Sequence, residues 1–157
     1  MATNPSVKFF GYLQDKIVTI HTYAALTERL KPSEMASLGS LQSWGVLPAH
    51  RLGTTVRRVG ADRLLVRSLY AYEHSLSETE VHEALRRRFH NRYPALSHIH
   101  LEHVWGGVTA LTLNGSPYVG CLEPGLYASA GCNGSGIVKG TALGSYLAEL
   151  AHANKAD

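Results

Sequence analysis

Charge is scarce in this sequence. Only 17% of its 157 residues are Asp, Glu, Lys or Arg, against about a quarter in ordinary soluble domains. So little polar surface implies that part of the chain sits against something else. Fifteen basic residues against twelve acidic ones leave a net charge of +3. They are scattered, apart from Arg86-Arg87-Arg88. Nucleic-acid binding needs cations gathered on one face, and three successive helical residues point in three directions. A solvated helix face is expected there, and no nucleic-acid partner. Cysteine is equally sparse. Cys121 and Cys132 belong to no CxxC pair, which excludes the usual zinc frameworks. No run approaches the roughly 18 apolar residues that span a bilayer. The start, Met1-Ala2-Thr3-Asn4-Pro5, has neither the basic residues nor the apolar run of a secretory signal. The expectation is a soluble, cytoplasmic protein with free thiols and no membrane contact. Internal repeats and low-complexity segments are also missing.

What is present is apolar residue, 45% of the chain, enough for one packed domain. Residues 9–27 read as extended, with Ile17-Val18-Thr19-Ile20 the most strand-like part. Pro32 starts a short helix that Gly39 ends. Thr54 to Val59 and Arg63 to Ser68 flank Gly60-Ala61-Asp62, a bulged hairpin. Ser77 and Glu80 form a capping box. Val81, Ala84, Leu85 and Phe89 follow at helical spacing, predicting a helix over 78–91 that stops before Pro94. Two strands are expected at 99–105 and 108–113, then a turn at Asn114-Gly115-Ser116-Pro117. Leu126 to Ala130 is a short apolar strand. A glycine-rich turn over 131–136 leads into a helix over about 137–151. The fold class is α+β: a mainly antiparallel sheet with flanking helices, ending in a strand, a Gly-rich loop and a helix.

That ending carries the strongest local signal. In Gly131-Cys132-Asn133-Gly134-Ser135-Gly136-Ile137 the glycines let backbone approach a flat ligand. The helix that follows aims its N–H groups at the turn and favours negative charge there. GxxGxG is neither a Walker loop nor the dinucleotide pattern GxGxxG, so local physics leaves a ligand site and a tight structural turn both open. His98 and His100 share a strand face, a spacing that metals use. No third ligand is evident beyond Glu102 or His103, so surface histidines are expected and no metal. His50 and His90 read as structural. Tyr23, Arg67 and Tyr70 either line a substrate cavity from the sheet or pack into it.

Three segments together, Trp105-Gly106-Gly107, then residues 114–120, then residues 126–137, resemble the tail of the D-amino-acid-oxidase-like flavoproteins. The likeness is greatest to the glycine/sarcosine-oxidase and gamma-glutamylputrescine-oxidase group. Ala2-Thr3-Asn4 resembles the element that closes the flavin domain of that family. Phe10-Gly11-Tyr12-Leu13 and residues 22–27 resemble the first strands of its substrate domain. The resemblance covers nearly the whole chain.

It implies an enzyme that uses FAD to oxidise a C–N bond. Gly131, Cys132, Asn133, Gly134, Ser135, Gly136 and Ile137 would contact the flavin, with Trp105, Gly106 and Gly107 beside its ring. Residues 5–125 would be a sheet domain of the substrate-binding type, and 126–152 the flavin-contacting end. No GxGxxG half is present, so FAD would be shared with a missing or separate domain, and the partner would be a flavin-domain chain or a second copy. Many relatives carry an arginine just after the Trp-Gly element to bind a substrate carboxylate; Val108 stands there, which favours a small amine substrate. No catalytic residue is evident. A truncated, non-catalytic fragment or pseudoenzyme, and a His-rich metal- or ligand-binding module, are the alternative readings.

Overall fold

The computed structural model describes residues 1–50 and 52–153. The chain divides into two compact units. One comprises Met1–Ile20, Tyr72–His74 and the chain from Val108 onward; the other comprises His21–Ala71 and Ser75–Gly107. The division cuts three strands: β1 (Ile17–Thr27) and β5 (Leu101–Thr112) well inside, and the strand Arg63–Tyr72 before its last residue.

The second unit is built on a sheet. β2 (Gly45–Val46), β3 (Thr55–Val59) and β4 (Arg63–Tyr72) pair antiparallel, and the five-stranded order is β2-β3-β4-β1-β5. β3 and β4 form the hairpin that the β-rich runs around Gly60-Ala61-Asp62 predict, with Val59 opposite Arg63. Strand alternation sends Leu64, Val66 and Ser68 to one face, and all three are fully buried. Against that face lies α2 (Glu78–Arg92), which starts at the capping box: Ser77 Oγ accepts the Glu80 N–H and Glu80 accepts the Ser77 N–H. Val81, Leu85 and Phe89 join Val56, Leu64, Val66, Tyr23 and Leu101 in one core cluster. The short helix α1 (Pro32–Ala36) adds Met35 to the same cluster. Both helices of this unit therefore bury their apolar residues on one side of the sheet.

The first unit starts differently from the expectation. Residues 9–16 are not extended: Asn4–Phe10 is a run of 3-10 helix with Pro5 in its first turn, closed by Gly11 at φ 86°. Proline pre-sets the φ of a helical first turn, and the apolar residues after it follow no period-2 pattern. Further on, the expected break between strands at Gly106-Gly107 is absent, and β5 runs straight through both glycines. β6 (Tyr118–Glu123), to which the sequence assigned no element, pairs antiparallel with β7 (Leu126–Ala130). A second, smaller core of Val7, Ile17, Ala110 and Ala130 lies here. The chain then enters α3 (Gly136–Ala153). No helix among the described residues is long and apolar enough to cross a membrane.

Candidate functional site

The Gly-rich loop is held by side chains on all sides. Asn4 Oδ1 accepts the backbone N–H groups of Gly131 and Cys132, at 3.1 and 3.2 Å. Asn133 takes φ 53°, a left-handed conformation that asparagine tolerates. Its side-chain amide donates to Gly131 O, Gly115 O and Thr112 Oγ1, and its Oδ1 accepts the Thr112 N–H. The Asn133 backbone N–H donates to Ala110 O. The Asn133 side chain is thus a tie between the loop and the end of β5. Asn4 is a residue that sequence reasoning missed as a functional position. It stood in a recognised motif, but its partners lie 127 and 128 positions away, which no local pattern reveals.

The glycines of the loop divide by role. Gly131 sits at φ 77°, and a Cβ there would lie 2.4 Å from Thr112 Cγ2. Gly131 is required by the fold itself. Gly134 sits at φ 81° with nothing within 4 Å of a Cβ position, so the chain demands its conformation but not its lack of volume. Gly136 has ordinary contact with Cys132. Asn4→Ala would leave the Gly131 and Cys132 N–H groups without their acceptor. We expect it to cost about 1–2 kcal/mol and to accelerate amide hydrogen exchange at those two residues specifically; unchanged exchange would show that Asn4 does not pin the loop.

Cys132 lies beside this anchor. Burial pushes its thiol pKa up, but hydrogen bonds to Thr109 Oγ1, the backbone of Gly134, Asn4 Nδ2 and the backbone of Ala110 outweigh that, and the net shift is downward. Cys132 and Cys121 are both free. Past the loop, α3 opens with no acidic residue in its first turn. The first-turn N–H groups of a helix have no intrahelical partners and carry partial positive charge, and here no side-chain carboxylate of that turn offsets it. A cleft of about 200 Å³ is lined by Asn4, Cys132, Gly136, Lys139, Leu143 and Leu147. Ile137 and Val138 are largely exposed, at 89% and 76%.

In the sheet unit, Gly106 is exposed but borders a core side chain on one face. A Cβ there would lie 3.1 Å from the Tyr23 ring. Tyr23 is only 6% exposed, belongs to the core cluster, and its hydroxyl accepts the Leu76 N–H at 2.7 Å. Of the two openings left by the sequence for Tyr23, the structure shows packing. Since Gly106 borders the core on that face, its neighbours Trp105 and Gly107 lie on the opposite, outer face, where Trp105 is 44% exposed. Arg67 is on the outer face too, as the partner of Thr55 across the hairpin. Its guanidinium stands 5.7 Å from the centre of the Tyr70 ring and donates to Thr55 Oγ1.

The histidines do not converge. His98 pairs with Glu34 at 2.7 Å and His103 lies 3.7 Å from Glu102. Among the described residues no three His, Cys, Asp or Glu side chains gather as a metal site.

Comparison with known proteins places this geometry. The family model for FAD dependent oxidoreductases (DAO) matches residues 1–150. The chain is 31% identical over 67 residues to the probable oxidoreductase OrdL of Rhizobium meliloti, an alignment covering 43% of this chain and 16% of that protein. It is 28% identical over 75 residues to the protein of the same name from Haemophilus influenzae, covering 48% and 17%. In fold it is similar to glycine oxidase from Geobacillus kaustophilus, with a TM-score of 0.66 at 20% identity over 87% of this chain and 35% of that one. Glycine oxidase from Bacillus cereus gives 0.64 at 18% identity, over 95% and 40%. The chain thus spans well under half the length of the relatives it matches. With the model covering all but its last few residues, this chain belongs to the FAD dependent oxidoreductase (DAO) family.

Proposed function

We propose that the chain is the substrate-binding and flavin-loop part of an enzyme that oxidises a C–N bond of an amine or amino acid, with FAD held jointly by this chain and a flavin-domain chain. One observation carries the reading. The loop at 131–135 is tied down by Asn4 and Asn133, while the helix it feeds begins without a carboxylate in its first turn. Such a loop suits one end of a flat, polar cofactor. FAD, when bound, accepts the electrons leaving the C–N bond. The residues of this chain do the rest. The amino end of α3 would stabilise negative charge, and Gly134 and Ser135 would present backbone to the cofactor; in the sheet unit, Trp105 and Gly107 would offer an outer face for substrate. The pyrophosphate is left to the partner, because the chain carries no GxGxxG unit.

The surface of α3 fits a covered position. None of its 18 residues is buried, although Ile137, Val138 and Tyr146 are large and apolar. Exposed apolar patches mark interaction sites. The chain alone should therefore self-associate, and light scattering at rising concentration checks this; a strict monomer would argue against a covered α3. The proposal as a whole is tested on the protein purified from its own source. A flavin absorbance band, a second chain on the gel, and peroxide formation with amines or amino acids are expected. A colourless protein without amine-dependent peroxide would contradict it.

A further inference from the structure

The sequence holds two Asn-Gly pairs, Asn114-Gly115 and Asn133-Gly134. In such a pair the backbone nitrogen of the glycine can attack the side-chain amide carbon of the asparagine, because no Cβ shields that nitrogen. A C–N bond forms to the asparagine Cγ, and the side-chain nitrogen leaves as ammonia. Water then opens the succinimide ring at either carbonyl. One opening gives aspartate. The other gives isoaspartate, whose main chain runs through the former side chain and is longer by a methylene. The balance is one water consumed and one ammonia released, with no oxidation or reduction.

The two pairs sit in opposite surroundings. Asn133 is half-buried, and both ends of its side-chain amide are held. Nδ2 donates to Thr112 Oγ1, Gly115 O and Gly131 O, and Oδ1 accepts the Thr112 N–H at 2.9 Å. The Gly134 N–H is engaged by the Cys132 thiol. For Asn133 Cγ to meet Gly134 N, these bonds have to break together. Asn114, Gly115 and Ser116 are all exposed. Asn114 Nδ2, the nitrogen that must leave, has no partner among the described residues, whereas Oδ1 accepts the Ser116 N–H at 3.1 Å. That N–H holds the side chain back along the following backbone and stands where negative charge develops as Cγ is attacked. Gly115 takes φ 74° with nothing within 4 Å of a Cβ position, so the approach to its nitrogen is open. Its N–H donates to Thr112 O at 3.2 Å, a bond in an exposed turn, and such bonds open locally far more often than a core does.

The two pairs are also joined. Gly115 O accepts Asn133 Nδ2 at 3.0 Å, and Ser116 O accepts Thr112 Oγ1 at 2.8 Å. Both acceptors lie just beyond the link that isoaspartate lengthens. We propose that Asn114 is a site of spontaneous deamidation by way of a succinimide with Gly115, and that isoaspartate there withdraws Gly115 O from Asn133 and loosens the Gly-rich loop at 131–135. The added methylene shifts Gly115 against Thr112, which ends β5, so the Asn133 tie loses part of its hydrogen bonding. Neither step depends on the proposed oxidation.

The test ages the full chain in mildly alkaline buffer. Fragment-ion mass spectrometry assigns the mass gain to Asn114 or Asn133, and an isoaspartyl methyltransferase scores isoaspartate separately. In the folded chain Asn114 is expected to deamidate faster than Asn133 by about tenfold or more, since several hydrogen bonds guard only the second. In the urea-unfolded chain the two rates should converge. Asn114→Gln, whose longer side chain has to close a larger ring, should stop the change at 114. The second readout is amide exchange at Thr112, whose N–H is held by Asn133 Oδ1. It should be faster by about fivefold or more in the isoaspartate fraction, and unchanged in Asn114→Gln aged identically. No deamidation at Asn114, equal rates at the two asparagines in the folded chain, or a difference that survives in urea would overturn the site. Unchanged Thr112 exchange in the isoaspartate fraction would overturn its effect on the loop.

Discussion

Gly131→Ala is expected to destabilise the protein by about 2–5 kcal/mol, from two separable causes. A non-glycine residue in the left-handed region costs about 1–2 kcal/mol, and Gly131 stands at φ 77°. Overpacking adds about 1–3 kcal/mol, because the new Cβ would lie 2.4 Å from Thr112 Cγ2. A double-mutant cycle separates them. Thr112→Ser removes Cγ2 and keeps the Oγ1 that donates to Ser116 O and accepts from Asn133. The double variant should lose less than the sum of the two singles, with the φ cost remaining. Urea unfolding of the four proteins measures this; strict additivity would show that the Thr112 contact is not what makes residue 131 a glycine.

The second large effect is on cofactor retention. In the flavin-loaded assembly, Gly134→Val should abolish flavin binding while costing only about 1–2 kcal/mol of fold stability. Among the described residues nothing lies within 4 Å of a Cβ at Gly134, so beyond its φ of 81° the fold has no quarrel with a side chain there. On the proposed reading, it is the bound flavin that leaves no room for one. Gly134→Ala should show the same split in milder form. Cys132→Ser should retain flavin, because a hydroxyl can keep the hydrogen bonds from Asn4 and Thr109. Bound flavin per chain, read by absorbance after gel filtration, decides both. Full occupancy in Gly134→Val would show that the loop does not face the cofactor.

The elements that sequence made legible are those built from local chemistry. The Ser77–Glu80 box and the apolar period after it placed α2 within a residue of its end, Arg92. The hairpin was legible because Gly60-Ala61-Asp62 interrupts two β-rich runs. The failures have long-range causes. β5 continues through Gly106-Gly107, with the Tyr23 ring next to Gly106, a neighbour that leaves no trace in the sequence near residue 106. β6 was not assigned from the sequence: Gly120 interrupts its run, and its strand character comes from pairing with β7. Of the site, the glycine loop and the helix after it were legible as a possible ligand end. Asn4 and Asn133 as its anchors were not, because their roles are hydrogen bonds to distant backbone. Nor was the inward orientation of Tyr23.

The claim that this chain supplies one part of a shared flavin site is tested most directly by titrating FAD into the isolated chain and following its fluorescence. With no GxGxxG unit to hold the pyrophosphate, the account predicts no saturation in the micromolar range. Submicromolar FAD binding by this chain alone would contradict it.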